Sequence, residues 1–401
     1  MIKIGLIKEG KIPADTRVPL IPTRAKQLMD DHHGFKVIAQ SSDIRCFKDD
    51  EYKNLDISVK EDISECDVLL GVKEVPIKDL IPDKTYFFFS HTIKEQPYNR
   101  ELLREILKKK ITLIDYEVLT SQEGWRIIGF GRWAGIVGAY NGLLTYGKKH
   151  NLFQIRRANE CFDYEDLKTE YPKIELPPVK IVLTGSGRVS RGAMEVLDDA
   201  GIRKVSPKEI LNQSFDEPVY AQLFSYDYNL HKERIDFTEE DFIHNPDLFD
   251  PDFLKYTEVA DILIAGSFWH PDSPVLFTKE DLQNEHFKTK VIADITCDIE
   301  GSIPTTLRST VIADPFYDYD PDTYTETEAF SDINNVTVMA IDTLPNELPR
   351  NASENFGEDL ASRVLPLLLG NDEEDVIGRA TIAKDGALTE HFKYLESYVN
   401  E

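Results

Sequence analysis

The chain has 401 residues, and at roughly 150 residues per domain this length predicts two or three domains. Hydrophobic residues make up 41% and charged residues 29%, a globular balance that excludes a mostly disordered chain. The formal charge of −26 disfavours nucleic acid and anionic membrane surfaces as partners, because both are themselves negatively charged.

The first third of the chain alternates short apolar strands with helical segments. The strands are predicted at residues 2–8, 35–39, 68–72, 86–90, 111–116 and 126–130. Helices are predicted at residues 23–29 and 99–109. Several strands are apolar on both faces, as buried parallel strands must be. The alternation predicts an α/β fold with a mostly parallel sheet flanked by helices.

A long helix is predicted next, over residues 133–149. Small residues fall on one of its faces, at spacings of four, three and four: Gly131, Gly135, Gly138 and Gly142. Only small residues let another backbone or a flat ligand approach so closely. We expect tight packing against a sheet to be their main purpose.

A second α/β unit begins near residue 179. A strand at residues 179–184 leads through a glycine-rich turn into a helix that extends to about Asp199. Later strands are predicted at residues 261–264, 290–294, 310–313 and 335–340, followed by a helical segment up to residue 369 and a tail over 380–401. Residues 211–260 hold twelve acids and three bases. We interpret them as an insertion with a solvated face and no chemistry.

The turn after the strand at 179–184 has the context of a dinucleotide site. Gly185 makes the tight turn, and Gly187 lets backbone N–H groups approach a pyrophosphate at the helix N-terminus. Ser186, Arg188 and Val189 complete the predicted cofactor-binding loop, although Ser190 replaces the third glycine of the fingerprint. A purely structural strand–helix turn is the alternative.

Cofactor preference is predicted from the end of the next strand, where an acid normally binds the ribose of NAD. Residues 203–208 hold Arg203, Lys204 and Lys208 and no acid. Basic residues tolerate a 2′-phosphate, so the sequence favours NADP over NAD.

Ionisable residues follow successive strands of the first unit. Lys73 and Glu74 follow one strand, His91 the next and Glu117 the next, while Arg17 lies in the loop after the first strand. Parallel strands end at one edge of a sheet, so these side chains are predicted to converge there. Desolvation and like charge lower the pKa of a lysine in such a cleft, which suits it to proton transfer near neutral pH. Taken singly, each residue is more typical of a surface or capping position, but the whole set, followed by a dinucleotide unit, favours a catalytic site.

At these residues the sequence resembles the L-lysine-forming saccharopine dehydrogenases, within the alanine dehydrogenase and transhydrogenase superfamily. The resemblance is strongest to the lysine–ketoglutarate reductase half of the bifunctional aminoadipic semialdehyde synthases. It covers nearly the whole chain and rests on LGVK (70–73), FFSHTIK (88–94), LIDYE (113–117), GFGRWAG (129–135), LTGSG (183–187), ADITCD (293–298) with GSI (301–303), and IDTLP (341–345) with LP (348–349).

The resemblance implies a reductive condensation of L-lysine with 2-oxoglutarate to saccharopine, with NAD(P)H as reductant. Lys73 and His91 match the acid–base pair of the family. The substrate-binding set implied in this way is Arg17, Glu74, Glu117, Arg132 and Asp342, with Asp298 near the nicotinamide. The first two glutamates match acids that tune the charge of the pair.

The resemblance also implies two Rossmann-like domains with an active-site cleft between them. Residues 1–142 with 343–401 would form the catalytic domain, and residues 143–342 the dinucleotide-binding domain. Val189 stands where fungal members have a cysteine, so redox control through that position is not expected. Arg132 replaces an uncharged residue of the animal enzymes. Because no glutamate-forming dehydrogenase half follows, only the lysine–saccharopine step is expected.

Two other functions remain open at this point. An alanine dehydrogenase would share the arginine, lysine, histidine and aspartate positions but reduce a simpler imine made with ammonia. A non-catalytic dinucleotide sensor would bind NAD(P)H without turnover. Extra cations for the carboxylates of the larger substrate favour the first interpretation, and Arg17, Arg132 and Lys94 are candidates.

The scattered cysteines, Cys46, Cys66, Cys161 and Cys297, give no disulfide or zinc pattern, so no metal is expected. No apolar run approaches the ~20 residues of a membrane span, and the N-terminus lacks the apolar core of a signal peptide. A cytoplasmic protein is expected, either monomer or homodimer, whose partners are small molecules.

Overall fold

The structure, a computed structural model, describes the whole chain from Met1 to Glu401. Two compact units divide it: Met1–Phe130 together with Pro349–Glu401, and Gly131–Leu348. The predicted boundaries at residues 142 and 343 both lie within the second of these units.

The first unit contains strands and helices in alternation. Its N-terminal part comprises β1 (Ile2–Leu6), α1 (Pro22–Asp31), β2 (Phe35–Gln40), α2 (Asp49–Lys53), β3 (Ser58–Lys60), β4 (Val68–Leu70), β5 (Thr85–Phe88), α3 (Arg100–Lys108) and β6 (Thr112–Asp115).

The second unit has the same alternation with more short elements. It comprises α4 (Gly131–Lys149), α5 (Tyr164–Lys168), β7 (Lys180–Thr184), α6 (Arg188–Asp199), β8 (Arg203–Val205), α7 (Pro207–Asn212), β9 (Val219–Leu223), α8 (Ser225–Tyr228), β10 (Asn229–His231), α9 (Glu239–His244), β11 (Phe249–Pro251), α10 (Leu254–Thr257), β12 (Ile262–Ala265), β13 (Val291–Asp294), β14 (Phe316–Asp320), β15 (Thr325–Thr327) and β16 (Val336–Met339).

The C-terminal segment returns to the first unit. It comprises α11 (Pro349–Asp359), a π-helical turn (Leu360–Val364), a 3₁₀ helix (Leu365–Leu369), α12 (Val376–Arg379), β17 (Thr381–Lys384), β18 (Ala387–Leu388), a second 3₁₀ helix (Glu390–Leu395) and α13 (Glu396–Asn400).

The first sheet has eight strands in the order β18-β17-β6-β5-β4-β1-β2-β3. Six strands are parallel, and β17 and β18 extend the edge in the antiparallel sense. Strand β4 is buried at every residue, which its sequence Val-Leu-Leu allows. Helix α3 covers one face with Leu102, Leu103 and Ile106, which share one side of the helix. The predicted α/β fold with mostly parallel sheets is confirmed.

The second sheet also has eight strands, in the order β15-β14-β16-β13-β12-β7-β9-β8. Its parallel part runs from β8 to β16, and β14 and β15 are antiparallel additions. Strand β9, rather than β8, lies beside β7. This order decides which residues lie next to the glycine-rich turn after β7.

Two predicted strands are wrong. Residues 126–130 make one isolated bridge, between Thr120 and Arg126, and then form a loop whose Phe130 ring stacks on Phe356 with centroids 4.5 Å apart. Residues 310–313 likewise make only isolated bridges, including Thr310 with Ile341. In the first segment Ile127 and Ile128 are buried without belonging to a sheet, whereas in the second only Thr310 is buried.

The description of residues 211–260 as an insertion is also wrong in part. Strand β9 lies within them, all five of its residues are buried, and it is an interior strand of the second sheet, between β7 and the edge strand β8. The segment Val-Tyr-Ala-Gln-Leu has the composition of a buried strand, but the charge of the whole stretch obscured it. The rest of the stretch holds the β10–β11 hairpin and α9.

The small residues of α4 do permit close packing, against a helix as well as a sheet. A Cβ added at Gly135 would lie 1.8 Å from the backbone oxygen of Val189 in α6. Added at Gly138 or Gly142, it would meet Ile295 at 2.4 Å or Ala293 at 3.1 Å, at the end of β13. None of the helices is both long enough and apolar enough to cross a membrane.

We expect Gly135→Ala to destabilise the protein severely. The new methyl group would overlap a backbone carbonyl that cannot rotate away, so α4 and α6 must separate at a cost of about 3 kcal/mol or more. Chemical denaturation followed by circular dichroism measures this cost. The matched control is Gly187→Ala, whose added Cβ meets nothing within 4 Å and whose φ is −79°. Equal stability of both variants would contradict the proposed close contact.

Candidate functional site

The carboxyl ends of β4 and β5 bring two predicted site residues into direct contact. His91 follows β5 in a left-handed conformation, with φ of 52°, and its Nδ1 lies 2.6 Å from Oε1 of Glu74. The second carboxylate oxygen of Glu74 accepts a hydrogen bond from Nζ of Lys11 at 3.0 Å. A carboxylate therefore bridges an imidazole and an ammonium group beside Lys73.

The ionisation of Glu74 fixes the tautomer of His91. Burial opposes the charge of this carboxyl, but the hydrogen bond and charge of His91, with the charge of Lys11, hold its pKa at about 2. An ionised carboxylate only accepts hydrogen bonds, so Nδ1 of His91 must carry a proton. Nε2 is then the nitrogen left for exchange with a substrate.

Glu9 fixes the backbone of Lys73 by hydrogen bonding. The carboxyl oxygens of Glu9 accept hydrogen bonds from the backbone N–H groups of Val72 at 2.6 Å and of Lys73 at 3.0 Å. Burial lowers the pKa of the Lys73 ammonium, and the positive charges of Arg17 and Lys11 lower it further. The structure therefore gives this amine a neutral form at a lower pH than an exposed lysine has.

Arg17 is held in a fixed orientation by its neighbour Asp15. Its Nε and Nη2 donate to the two carboxylate oxygens of Asp15 at 2.9 and 2.5 Å. Its guanidinium lies 4.2 Å from the centroid of the Phe130 ring. Arg17 and Asp15 are only 4% and 3% exposed, so this is a buried ion pair with few donors still open to a substrate.

The remaining predicted substrate residues have other partners within their own units. Glu117 lies 3.4 Å from Nζ of Lys94 and 3.2 Å from Nη2 of Arg126. Arg132, at the start of α4, makes two hydrogen bonds of 2.8 and 2.6 Å to Glu195.

The glycine-rich turn of the second unit has the shape that a dinucleotide requires. Gly185 has φ of 97°, and a Cβ there would lie 3.0 Å from the backbone oxygen of Gly266. Gly187 directly precedes the twelve-residue helix α6, and a Cβ added at Gly187 would have no neighbour within 4 Å. The first turn of α6 contains no acidic residue. The loop thus leaves open, beside a helix N-terminus, the space that a pyrophosphate would fill. Arg188 and Val189 begin α6.

Two acids lie beyond other strands of this sheet. Asp298 is half-buried in the turn after β13, and Asp342 is exposed shortly after β16. The carboxyl ends of β7, β13 and β16 lie on one edge of a parallel array, so the glycine turn and both acids belong to the same edge.

The basis for the NADP preference does not hold in the structure. The preference rested on residues 203–208 as the end of the strand next to β7, but β8 is the edge strand and β9 lies between them. Arg203 pairs with Glu217 at 2.6 Å, and Lys204 donates to the side chain of Gln222 at 2.9 Å.

Three charged residues of the first unit's site lie outside the set of site residues predicted from the sequence: Glu9, Lys11 and Asp15. All three lie in the loop that follows β1, where Arg17 was found. Their signal was their position after a parallel strand, the same signal that identified Lys73 and His91. Their specific contacts depend on how the loop folds back, which sequence periodicity does not describe.

The pKa of Glu74 predicts a dependence of stability on pH. Its folded value of about 2 lies below the ordinary value of about 4.3, so its contribution is complete above pH 4.3 and is lost as the pH falls towards 2. We expect the stability advantage of wild type over Glu74→Gln to shrink by about 3 kcal/mol over that range. Urea titrations at a series of pH values measure it.

Glu9→Gln is the matched variant, because the contribution of Glu9 to stability should change with pH in the opposite direction to that of Glu74. Burial, with the charge of Asp15, raises the pKa of Glu9 to about 8, so wild type loses this contribution as the pH rises from about 4.3 through 8. As the pH rises, the free energy of unfolding of the Glu9→Gln variant should therefore increase relative to that of wild type. Parallel pH curves for both variants and wild type would contradict this electrostatic description.

Comparison with known proteins agrees with the fold and the motifs. Residues 5–137 match the family model for the N-terminal domain of alanine dehydrogenase/PNT. Among solved structures, an L-alanine dehydrogenase superposes with a TM-score of 0.66 at 16% identity, covering 100% of this chain and 99% of that one. A transhydrogenase from Sinorhizobium meliloti has a TM-score of 0.62 at 14% identity, with 96% and 98% coverage. These likenesses show the fold.

Curated relatives extend over nearly the whole chain. The bovine (Bos taurus) mitochondrial alpha-aminoadipic semialdehyde synthase is 32% identical over 98% of this chain and 47% of its own length. An L-lysine-forming, NAD(+) saccharopine dehydrogenase from Yarrowia lipolytica is 27% identical over 96% of each chain. The chain spans about half the length of the semialdehyde synthases. Residues 5–137 thus match the alanine dehydrogenase/PNT N-terminal domain model, and the homologues over nearly the full length of the chain are aminoadipic semialdehyde synthases and L-lysine-forming saccharopine dehydrogenases.

Proposed function

We propose that the protein catalyses the NAD(P)H-dependent condensation of L-lysine with 2-oxoglutarate to saccharopine, and the reverse reaction. The observation that carries the proposal is the Glu74 carboxylate bound to Nδ1 of His91 at 2.6 Å, next in sequence to a half-buried Lys73. The names of the relatives supply the substrate class.

Imine formation requires two proton transfers that these side chains suit. The ε-ammonium of lysine must lose a proton before it attacks the ketone, and a neutral Lys73 amine accepts it. The resulting carbinolamine then loses its hydroxyl as water, and a proton from Nε2 of His91 assists that departure. Glu74 stabilises the positive charge on the imidazole and holds its ring in place.

The dinucleotide supplies the hydride that reduces the imine carbon. We assign its binding to Gly185, Ser186, Gly187, Arg188 and Val189, with Asp298 at the same edge of the sheet. Their role follows from the open loop at the start of α6. Lys11, whose side chain is 36% exposed, adds positive charge for the carboxylates of 2-oxoglutarate. We retain Arg17, Glu117, Arg132 and Asp342 as candidate substrate residues.

A steady-state assay that follows nicotinamide absorbance tests the proposal. We expect oxidation of the reduced dinucleotide with lysine plus 2-oxoglutarate, and its reduction with saccharopine. Turnover with ammonium plus pyruvate alone would establish the alanine dehydrogenase alternative. Binding of the dinucleotide without turnover on any of these substrates would establish the non-catalytic sensor instead.

We further propose a cytoplasmic location. The four cysteines are all free thiols in the structure, as a reducing compartment requires. Fractionation of cells that express the tagged protein tests the proposal, and recovery with mitochondria would contradict it. The bovine relative is named as a mitochondrial protein.

A further inference from the structure

One glutamate from the acidic stretch is bound directly to the glycine-rich loop. Ser186, between the two glycines, donates its hydroxyl to Oε2 of Glu239 at 2.7 Å. The backbone N–H of Ser225, two residues beyond the end of β9, donates to Oε1 of the same carboxylate at 3.3 Å. Glu239 therefore joins the loop after β7 to the carboxyl end of the neighbouring strand.

This is the position where a dinucleotide site needs an acid. In a doubly wound sheet the ribose of the adenosine lies beside the first glycine and at the end of the adjacent strand. The adjacent strand here is β9, and the residues that follow it, Phe224 and Ser225, are not acidic. A carboxylate reaches the same place from α9, which lies fourteen residues further along the chain than Ser225.

Glu239 is not needed to cap its own helix. Thr238 precedes α9, and its hydroxyl and backbone form reciprocal hydrogen bonds with Asp241. The two donors to Glu239, a serine hydroxyl and a backbone N–H, are neutral. These contacts therefore do not neutralise the negative charge of the Glu239 carboxylate.

Lys204 is the cation that competes for this position. Its Nζ binds the side-chain oxygen of Gln222 at 2.9 Å, and the amide of Gln222 in turn donates to the backbone oxygen of Gly185 at 3.0 Å. Lys204 thus reaches the loop only through another side chain, whereas Glu239 touches the loop itself. Of these two charged groups, the one in direct contact with the glycine-rich loop is therefore the negatively charged Glu239.

We propose that Glu239 accepts a hydrogen bond from the 2′-hydroxyl of the adenosine ribose, so that the protein selects NADH over NADPH. The inference rests on the dinucleotide binding in the proposed function and deepens it. A 2′-phosphate would bring a second anion against the carboxylate and would lose the hydrogen bond that a hydroxyl donates. The residue that makes this selection lies at the start of α9, whereas the sequence fingerprint places such an acid at the end of a strand.

Equilibrium binding of NADH and NADPH to the full chain, followed by nicotinamide fluorescence, tests the proposal without turnover. We expect wild type to bind NADH at least about tenfold more tightly, a difference of about 1.4 kcal/mol. Glu239→Gln should reduce that preference at least about tenfold, chiefly by strengthening NADPH binding. The neighbouring, exposed Glu240→Gln is the matched control and should keep the wild-type preference.

Each result decides one part of the proposal. Equal affinities in wild type, or an unchanged preference in folded Glu239→Gln, would overturn it. A preference lost in Lys204→Gln but not in Glu239→Gln would also overturn it and assign the selection to the lysine. Glu239-dependent selection of NADH without saccharopine turnover would leave this inference standing and refute only the proposed reaction. Failure of wild type to bind either nucleotide would refute both.

Discussion

Lys73→Met should lower kcat for saccharopine formation by about 10²-fold or more, the usual range for lost general acid–base catalysis. Methionine keeps most of the volume of the lysine side chain but cannot exchange a proton. The backbone of residue 73 should stay in place because Glu9 holds its N–H group and that of Val72. The readout is kcat together with the pH profile, whose ionisation attributed to the lowered pKa of Lys73 should disappear.

Two further variants separate chemistry from folding. His91→Gln should cause a loss of similar size, because glutamine can donate from the same region but cannot cycle a proton. Lys26→Met, on the surface of α1, is the matched control and should keep kcat within about twofold of wild type. Small primary amines should restore part of the rate in Lys73→Met. Wild-type rates in both site variants would refute these roles.

The convergence of Glu74 and His91 could be predicted because it follows from parallel topology. Side chains that follow adjacent parallel strands must lie at one edge, and β4 and β5 are adjacent. The glycine-rich turn was predictable for a similar reason, since a strand, two close glycines and a helix leave few conformations. Both predictions depend on local order along the chain, which a sequence displays directly.

The order of strands in the second sheet could not be predicted in this way. Strand β9 follows β8 in sequence but lies between β8 and β7 in space, and no local pattern distinguishes this order from the usual one. Residues 203–208 were expected to end the strand beside β7, so the ribose site was predicted at Arg203 and Lys204 instead of at the end of β9. Contacts between distant segments, such as Ser186 with Glu239, depend on that order and were lost with it.

Asp15→Ala should destabilise the protein by about 3–5 kcal/mol, the cost of leaving one partner of a buried ion pair alone. Asp15 supplies both hydrogen bonds that hold the Arg17 guanidinium, which is 4% exposed and has the Phe130 ring against its face. Water cannot easily replace the lost carboxylate there. Denaturant titration at neutral pH measures the loss.

A double-mutant cycle distinguishes a lost partner from a lost contact. If the cost comes from the unpaired guanidinium, Asp15→Ala with Arg17→Met should be more stable than Asp15→Ala alone, because the second change removes the buried charge. Asp30→Ala, which breaks the exposed pair with Lys26, is the matched control and should cost less than about 1 kcal/mol. A double variant less stable than Asp15→Ala would show that Arg17 contributes through packing on Phe130 rather than through its pair with Asp15.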